Sequence, residues 1–66
     1  MNVVVNGLER TVPDALTIEA LLQSLDLGAA RVAVEVNGSV VARRDHGRTV
    51  LRDRDRVEVV QFVGGG

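Results

Sequence analysis

Val57-Glu58-Val59-Val60-Gln61-Phe62-Val63 is a β-branched run, and Gly64-Gly65-Gly66 follows it directly. β-Branched residues favour strands, so this run predicts the last strand of the fold. Glycine has no Cβ, so the three glycines predict a tail that can approach another molecule closely. Three extended residues reach about 10 Å. We therefore expect a folded domain over residues 1–63, a flexible C-terminal glycine tail over residues 64–66, and the α-carboxylate of Gly66 as the working group.

The composition indicates one small globular domain. The chain has 66 residues, of which 45% are apolar and 26% are charged. A chain of this length buries only about 60% of the surface that it exposes when unfolded, which leaves little room for both a core and a substrate cavity. Its net charge of −1 gives no reason to expect a nucleic-acid or membrane partner. We therefore predict a protein that is not an enzyme and that binds neither nucleic acid nor a membrane.

The sequence contains neither lysine nor cysteine. All basic residues are arginine, so no lysine can form a Schiff base or accept an isopeptide bond. The absence of cysteine excludes disulfides, thiolate chemistry and sulfur-ligated metals. We predict no metal site and no catalytic side chain. The sequence shows no signal peptide and no long apolar run, so we expect a cytoplasmic location.

Turn and cap signals predict one helix among four or five strands. Asn6-Gly7 and Asn37-Gly38 are both hairpin signals. Thr17 is suited to cap a helix, and Gly28 is placed to end it. The apolar residues of this helix recur at helical spacing, at Ile18, Leu21, Leu22 and Leu25. The order ββαβ(β)β predicts an α+β fold in which a mixed four- to five-stranded sheet packs on one helix, with its other face uncovered.

The last strand indicates what lies on the uncovered face. Val57 and Val59 alternate with Glu58, Val60 and Phe62, and the charge of Glu58 indicates that its face is the wetter one. Val60 and Phe62, joined by Val4 from the first strand, are therefore predicted to form an exposed apolar patch beside the tail. Exposed apolar patches commonly mark interaction sites, so we expect this patch to bind a partner.

Two polar segments are interpreted as structural or solvated. Residues 43–48 are predicted to form an irregular surface loop, and His46 to be a solvated side chain, because no second ligand or nucleophile lies near it in the sequence. The arginines of this loop are expected to be solvated, with steering towards an acidic partner as a secondary role. Asp53-Arg54-Asp55 predicts a tight turn with structural carboxylates.

Taken in order, these motifs resemble the ThiS/MoaD family of sulfur carriers, which has the ubiquitin-like β-grasp fold. The short length, the Val-Asn-Gly hairpins and the final glycines favour the ThiS branch. The family usually has Asp-Gly-Asp at the position of Asp53-Arg54-Asp55, so the geometry of that turn stays open. Many members have Trp near the position of His46, so the resemblance implies no role for that loop. The matching segments cover nearly the whole chain: Val5-Asn6-Gly7, Thr17 with Leu21-Leu22 and Leu25, residues 32–38, Val41 with Arg43, Leu51 with Asp53 and Asp55, and residues 61–66.

The resemblance implies a carrier that other proteins load and unload. An adenylating enzyme of the ThiF type would activate Gly66 with its own ATP and magnesium, while Gly64 and Gly65 thread into its site. A sulfur donor such as a cysteine desulfurase would then turn the carboxylate into a thiocarboxylate. A thiazole synthase of the ThiG type would receive the sulfur for the thiazole ring of thiamine. The chain itself would bind no cofactor and would be a monomer when free.

Other functions stay open from the sequence. The same chemistry would serve a carrier for molybdopterin synthesis or tRNA thiolation, although carriers for molybdopterin tend to be longer. A ubiquitin-like modifier would pass the activated Gly66 to lysines of target proteins. A plain interaction module would have an inert tail.

Overall fold

A computed structural model describes residues 1–62, in which five strands form one mixed sheet. The spatial order is β2-β1-β5-β3-β4, with β1 and β5 parallel and the other neighbours antiparallel. The elements are β1 (Asn2–Val5), β2 (Leu8–Thr11), α1 (Ile18–Ser24), β3 (Val32–Val36), β4 (Ser39–Val41) and β5 (Arg56–Gln61). The predicted α+β class, element order and mixed sheet are confirmed. The predicted glycine tail and Val63 lie outside the described residues.

Both Asn-Gly hairpins are formed as predicted. Asn6 and Gly7 have φ values of 49° and 81°, and Asn37 and Gly38 have values of 52° and 87°. Positive φ at both central residues is typical of the two-residue turns whose twist matches that of paired strands. Each turn therefore fixes the register of its hairpin, with Val5 opposite Leu8 and Val36 opposite Ser39.

The helix starts where the sequence predicts and ends earlier than predicted. The hydroxyl of Thr17 accepts a hydrogen bond from the N–H of Ala20 at 3.1 Å, which is the predicted N-cap. The prediction that Gly28 ends the helix is wrong. The residue in the left-handed region is Asp26, with φ 60°, and its N–H donates to the C=O of Gln23. The short polar side chain of aspartate tolerates this region, so the helix closes two residues before the glycine.

The core lies between the helix and one face of the sheet. Ile18, Leu21 and Leu22 of the predicted apolar stripe are buried, and Leu25 packs against them partly buried. Inward-pointing residues of the three central strands complete the core. The buried apolar residues are Val3, Val5, Ile18, Leu21, Leu22, Val34, Leu51, Val57 and Val59.

The segment from Arg43 to Arg48 is more ordered than predicted. Arg43–Asp45 form a 3₁₀ turn, and the side chain of His46 is only 6% exposed, so its interpretation as a solvated residue is wrong. Its ring nitrogen Nε2 lies 3.0 Å from the C=O of Val41, and its own C=O accepts from the N–H of Glu19 at 3.1 Å. His46 is buried because its backbone caps the start of the helix and draws the ring inward. The arginines beside it are exposed, as expected.

The turn at Asp53-Arg54-Asp55 forms although the central residue is not glycine. Arg54 has a φ of 70°, and its N–H donates to the C=O of Asn2 at 2.6 Å. The carboxylate of Asp53 accepts from the N–H of Asn2, and that of Asp55 accepts from the N–H of Arg52, both at 2.8 Å. The predicted structural role of both carboxylates is confirmed. In residues 1–62, no helix is long and apolar enough to cross a membrane.

Candidate partner-docking face and tail exit

The face of the sheet opposite the helix carries the exposed apolar residues nearest the tail. In β5, Val57 and Val59 point into the core, so Glu58 and Val60 point to the open face. Val60 is 55% exposed, and Phe62, which follows β5 directly, is 61% exposed. Both side chains are therefore available to a partner at the end of the described chain.

Val4 shares the open face but lies away from the other two residues. It is half-buried and sits opposite Arg56 in the parallel register of β1 and β5. Arg56 precedes Val60 by four residues, which corresponds to about 13 Å along a strand. The structure thus brings Val60 and Phe62 together and places Val4 at the far end of the same face.

The open face has further features that were not assigned from the sequence. Glu35 and Glu58 lie directly opposite each other on β3 and β5, and none of the ion pairs found in residues 1–62 includes either one. Val40 on the edge strand β4 is 74% exposed and lies opposite Glu35 on its other side. The alternation of β3 places Glu35 on this face, and its pairing with Glu58 depends on the register between β3 and β5.

A backbone hydrogen bond joins Phe62, the last described residue, to the rest of the domain. The N–H of Phe62 donates to the C=O of Arg31 at 2.9 Å, immediately before β3 begins. This bond ties the end of the described chain to the residue that precedes β3. Gly64, Gly65 and Gly66 themselves lie outside the described residues.

Neither a cluster of metal ligands nor a free helix N-terminus, two features that can bind a nucleotide, is found in residues 1–62. They contain no group of His, Asp and Glu side chains that could hold a metal ion. A helix N-terminus is a common phosphate site, because its first N–H groups are free to donate. Here those of Ile18 and Glu19 donate to the C=O groups of Thr49 and His46, and that of Ala20 is taken by Thr17. These three N–H groups are therefore not free to bind the phosphates of ATP.

Comparison with protein families gives a match over almost the entire chain. The model of the ThiS family matches residues 3–66. The chain belongs to the ThiS family. The crystal structure of the thiamine biosynthesis protein ThiS from Geobacter metallireducens is similar in both fold and sequence, with a TM-score of 0.85, 40% identity and full coverage of both chains. This likeness confirms the ubiquitin-like β-grasp fold.

Two curated relatives differ in length. The sulfur carrier protein ThiS of Bacillus subtilis is 42% identical over 53 residues, which cover 80% of each chain. A thiazole synthase of Paramagnetospirillum magneticum is 39% identical over 66 residues, which cover all of this chain and 20% of that protein. The chain thus spans about a fifth of the length of this second relative. Membership in the ThiS family confirms the resemblance that the sequence indicates.

Proposed function

We propose that the chain is a sulfur carrier of thiamine biosynthesis, and that its working group is the α-carboxylate of Gly66. The observation that carries this proposal is the extent of the family match, which runs through residue 66 and so includes all three final glycines. The absence of cysteine agrees with it, because sulfur cannot then be carried as a persulfide of this chain.

Chemistry requires that this carboxylate be activated before it can accept sulfur. A free α-carboxyl group is ionised at neutral pH, and its negative charge repels nucleophiles. One carboxylate oxygen would attack the α-phosphorus of ATP, and pyrophosphate would leave to give an acyl-adenylate. A persulfide would then attack the acyl carbon as AMP leaves. Cleavage of the S–S bond by a thiol would leave the thiocarboxylate on Gly66.

The partner enzyme would supply the ATP site and magnesium, and this chain would supply a docking surface and a narrow tail. Val60 and Phe62 provide exposed apolar area at the root of that tail. Val4 is a more distant contact on the same face. Gly64 and Gly65 would pass through a channel that is too narrow for side chains, since glycine presents only its backbone.

The similarity to a thiazole synthase supports a proposal for the enzyme that receives the sulfur. In that protein a segment similar to this chain occupies a fifth of a longer polypeptide. Physical linkage raises the effective concentration of two modules towards each other, so covalent joining is favourable where a carrier works with a synthase. We therefore propose a ThiG-type thiazole synthase as the enzyme that takes the sulfur, and a free carrier that is monomeric and docks transiently.

Intact mass spectrometry tests the proposal. The chain is incubated with a ThiF-type adenylating enzyme, ATP, magnesium and sulfide, which can displace AMP directly. We expect the mass to rise by the difference between one sulfur and one oxygen atom. An unchanged mass would contradict the proposed function, and a ladder of heavier conjugates to lysine-containing proteins would identify a ubiquitin-like modifier instead.

A substitution in the tail tests threading in the same assay. Gly65→Val adds a stiff, branched side chain three residues beyond the last described residue, so we expect loss of sulfur transfer with an unchanged circular dichroism spectrum. A thiocarboxylate yield equal to that of the wild-type chain would rule out a narrow channel at this position. A changed spectrum would show that the effect is structural.

A further inference from the structure

Beyond Val59, strand β5 keeps one neighbouring strand and loses the other. β1 ends at Val5, which lies opposite Val57, whereas β5 continues to Gln61. On its other side, β5 stays paired with β3 as far as Gln61. The β1 side of β5 is therefore an open strand edge at the end that leads to the tail.

The pairing with β3 shows where the backbone groups of this edge point. Residues of an antiparallel pair exchange backbone hydrogen bonds at alternate positions. Arg56 and Phe62 both hydrogen bond through their backbones to residues on the β3 side. In β5 the backbone groups of even-numbered residues therefore point to β3. The N–H and C=O groups of the odd-numbered residues Val59 and Gln61 point to the opposite side, which is the β1 side.

Asn6 occupies the first of these two positions. Its side-chain Oδ1 accepts the N–H of Val59 at 2.8 Å, and its Nδ2 donates to the C=O of Val59 at 3.1 Å. One amide side chain thus takes the place of a strand residue. Gln61 has no such substitute. Its N–H and C=O point away from β3, and within residues 1–62 no side-chain group and no backbone group outside the strands bonds to them. The residue is also exposed. Among residues 1–62, the edge of β5 is therefore without a partner at Gln61.

We propose that this edge, at the backbone of Gln61, receives an extended segment of the enzyme that activates Gly66. Proteins usually cover strand edges, because free N–H and C=O groups pair readily with another chain. In strand addition, backbone bonds supply affinity and neighbouring side chains supply specificity, here those of Val60 and Phe62 on the open face. The inference rests on the proposed function and adds the mode of recognition to it.

The position of the edge favours the activating enzyme over other occupants. Gly66 is five residues beyond Gln61, so its carboxylate lies at most about 18 Å from the edge. A strand paired at Gln61 fixes the register of the tail, and a slip of one residue would move the carboxylate by about 3.3 Å. Apolar contacts alone are non-directional and do not fix register. Backbone pairing would therefore align Gly66 with ATP.

Amide hydrogen exchange of the wild-type chain tests the proposal without any variant. The Gln61 amide is followed by NMR in the free chain and in the presence of a saturating ThiF-type enzyme. We expect rapid exchange when the chain is free and a slowing of about 100-fold in the complex, because the pairing has to open before exchange occurs. Unchanged exchange of Gln61 in a saturated complex would overturn the proposal.

A pair of variants tests the same bond through the reaction. Gln61→Pro removes the N–H that faces the edge and keeps the ladder with β3, in which this N–H takes no part, whereas Gln61→Ala keeps the N–H and shortens the side chain. We expect kcat/KM for sulfur loading to be about tenfold lower for Gln61→Pro than for Gln61→Ala, mainly through a higher KM. Equal kcat/KM for both variants would count against the edge.

A synthetic chain with N-methylated Gln61 replaces the proline variant if that variant fails to fold. It lacks the same N–H and has no proline ring, and its kcat/KM should fall by the same factor. Failure of the proposed function is distinguishable, because the wild-type chain would then gain no sulfur. Normal loading of the wild-type and N-methylated chains alike would overturn only the proposed edge.

Discussion

Arg54 occupies a backbone conformation that suits glycine better than arginine. Its φ of 70° lies in the left-handed region, which costs a residue with a Cβ about 1–2 kcal/mol. The turn still forms because hydrogen bonds hold it on both sides. The N–H of Arg54 reaches the C=O of Asn2, and the carboxylate of Asp55 accepts from Arg52. One tertiary and one local hydrogen bond thus offset the conformational cost of arginine at this position.

Arg54→Gly should therefore stabilise the protein. Glycine removes the conformational strain of the folded turn. Its greater freedom in the unfolded chain cancels about half of this stabilisation, so we expect the free energy of unfolding to rise by about 0.5–1 kcal/mol. We expect the midpoint of thermal unfolding to rise by several degrees. Arg52→Gly is the matched control. Position 52 has no positive φ, so that variant should be less stable than the wild-type chain. A lower midpoint for Arg54→Gly would show that its side chain stabilises the turn.

The substitution His46→Ala tests whether the His46 side chain is buried and structural or exposed and solvated. Removing the ring leaves a cavity and takes a hydrogen-bond partner from the C=O of Val41, so we expect the free energy of unfolding to fall by about 2 kcal/mol. Chemical denaturation measures this loss, and sulfur loading per folded molecule should not change. A loss below about 0.5 kcal/mol would be typical of an exposed residue and would contradict the burial of the ring.

The two Asn-Gly hairpins share a second role that concerns β5. The side chain of Asn6 bonds to the backbone of Val59, and that of Asn37 accepts the N–H of Arg56 at 2.9 Å. Each hairpin therefore joins its own two strands and also clamps one end of the central strand β5. The asparagine is suited to both tasks, because it tolerates a positive φ and carries an amide that can replace a backbone peptide group.

Replacing each asparagine by glycine should free opposite ends of β5. Both turns remain possible, since glycine accepts positive φ, but the clamp is lost, at about 1–2 kcal/mol per site. Amide exchange measured by NMR should rise at Val59 in Asn6→Gly and at Arg56 in Asn37→Gly. Each variant is the control for the other. A uniform rise along β5 in both variants would indicate general destabilisation in place of local clamps.

Much of the molecule follows from local signals, and most of the exceptions depend on distant contacts. The Asn-Gly turns fix both hairpins, the alternation in β5 separates Val59 from Val60, and the spacing of Ile18 and Leu21 sets the helix face. The end of the helix was missed because aspartate at position 26 takes the left-handed conformation that is more typical of glycine. The burial of His46 was missed because its backbone hydrogen bond to Glu19 joins residues that are distant in the sequence. The open edge at Gln61 was also missed, since it depends on the parallel register of β1 and β5, in which β5 extends beyond the end of β1.

The exposed residues of the open face should differ in their importance for the partner. Phe62 lies at the root of the tail, whereas Val40 is at least as exposed but lies on the edge strand β4. Phe62→Ser should raise KM for sulfur loading about tenfold, since most of the ring's apolar surface would be lost from the contact. Val40→Ser should leave KM within about twofold. Equal effects of the two substitutions would show that docking does not centre on the tail.

Tandem mass spectrometry of the loaded chain tests the central claim most directly. After incubation with the adenylating enzyme, ATP and a sulfur source, fragment ions locate any added sulfur along the sequence. The account predicts that sulfur replaces one oxygen of the Gly66 carboxylate and that fragments without this residue keep their original mass. Sulfur at any other residue, or a chain that adenylation leaves without sulfur, would contradict it.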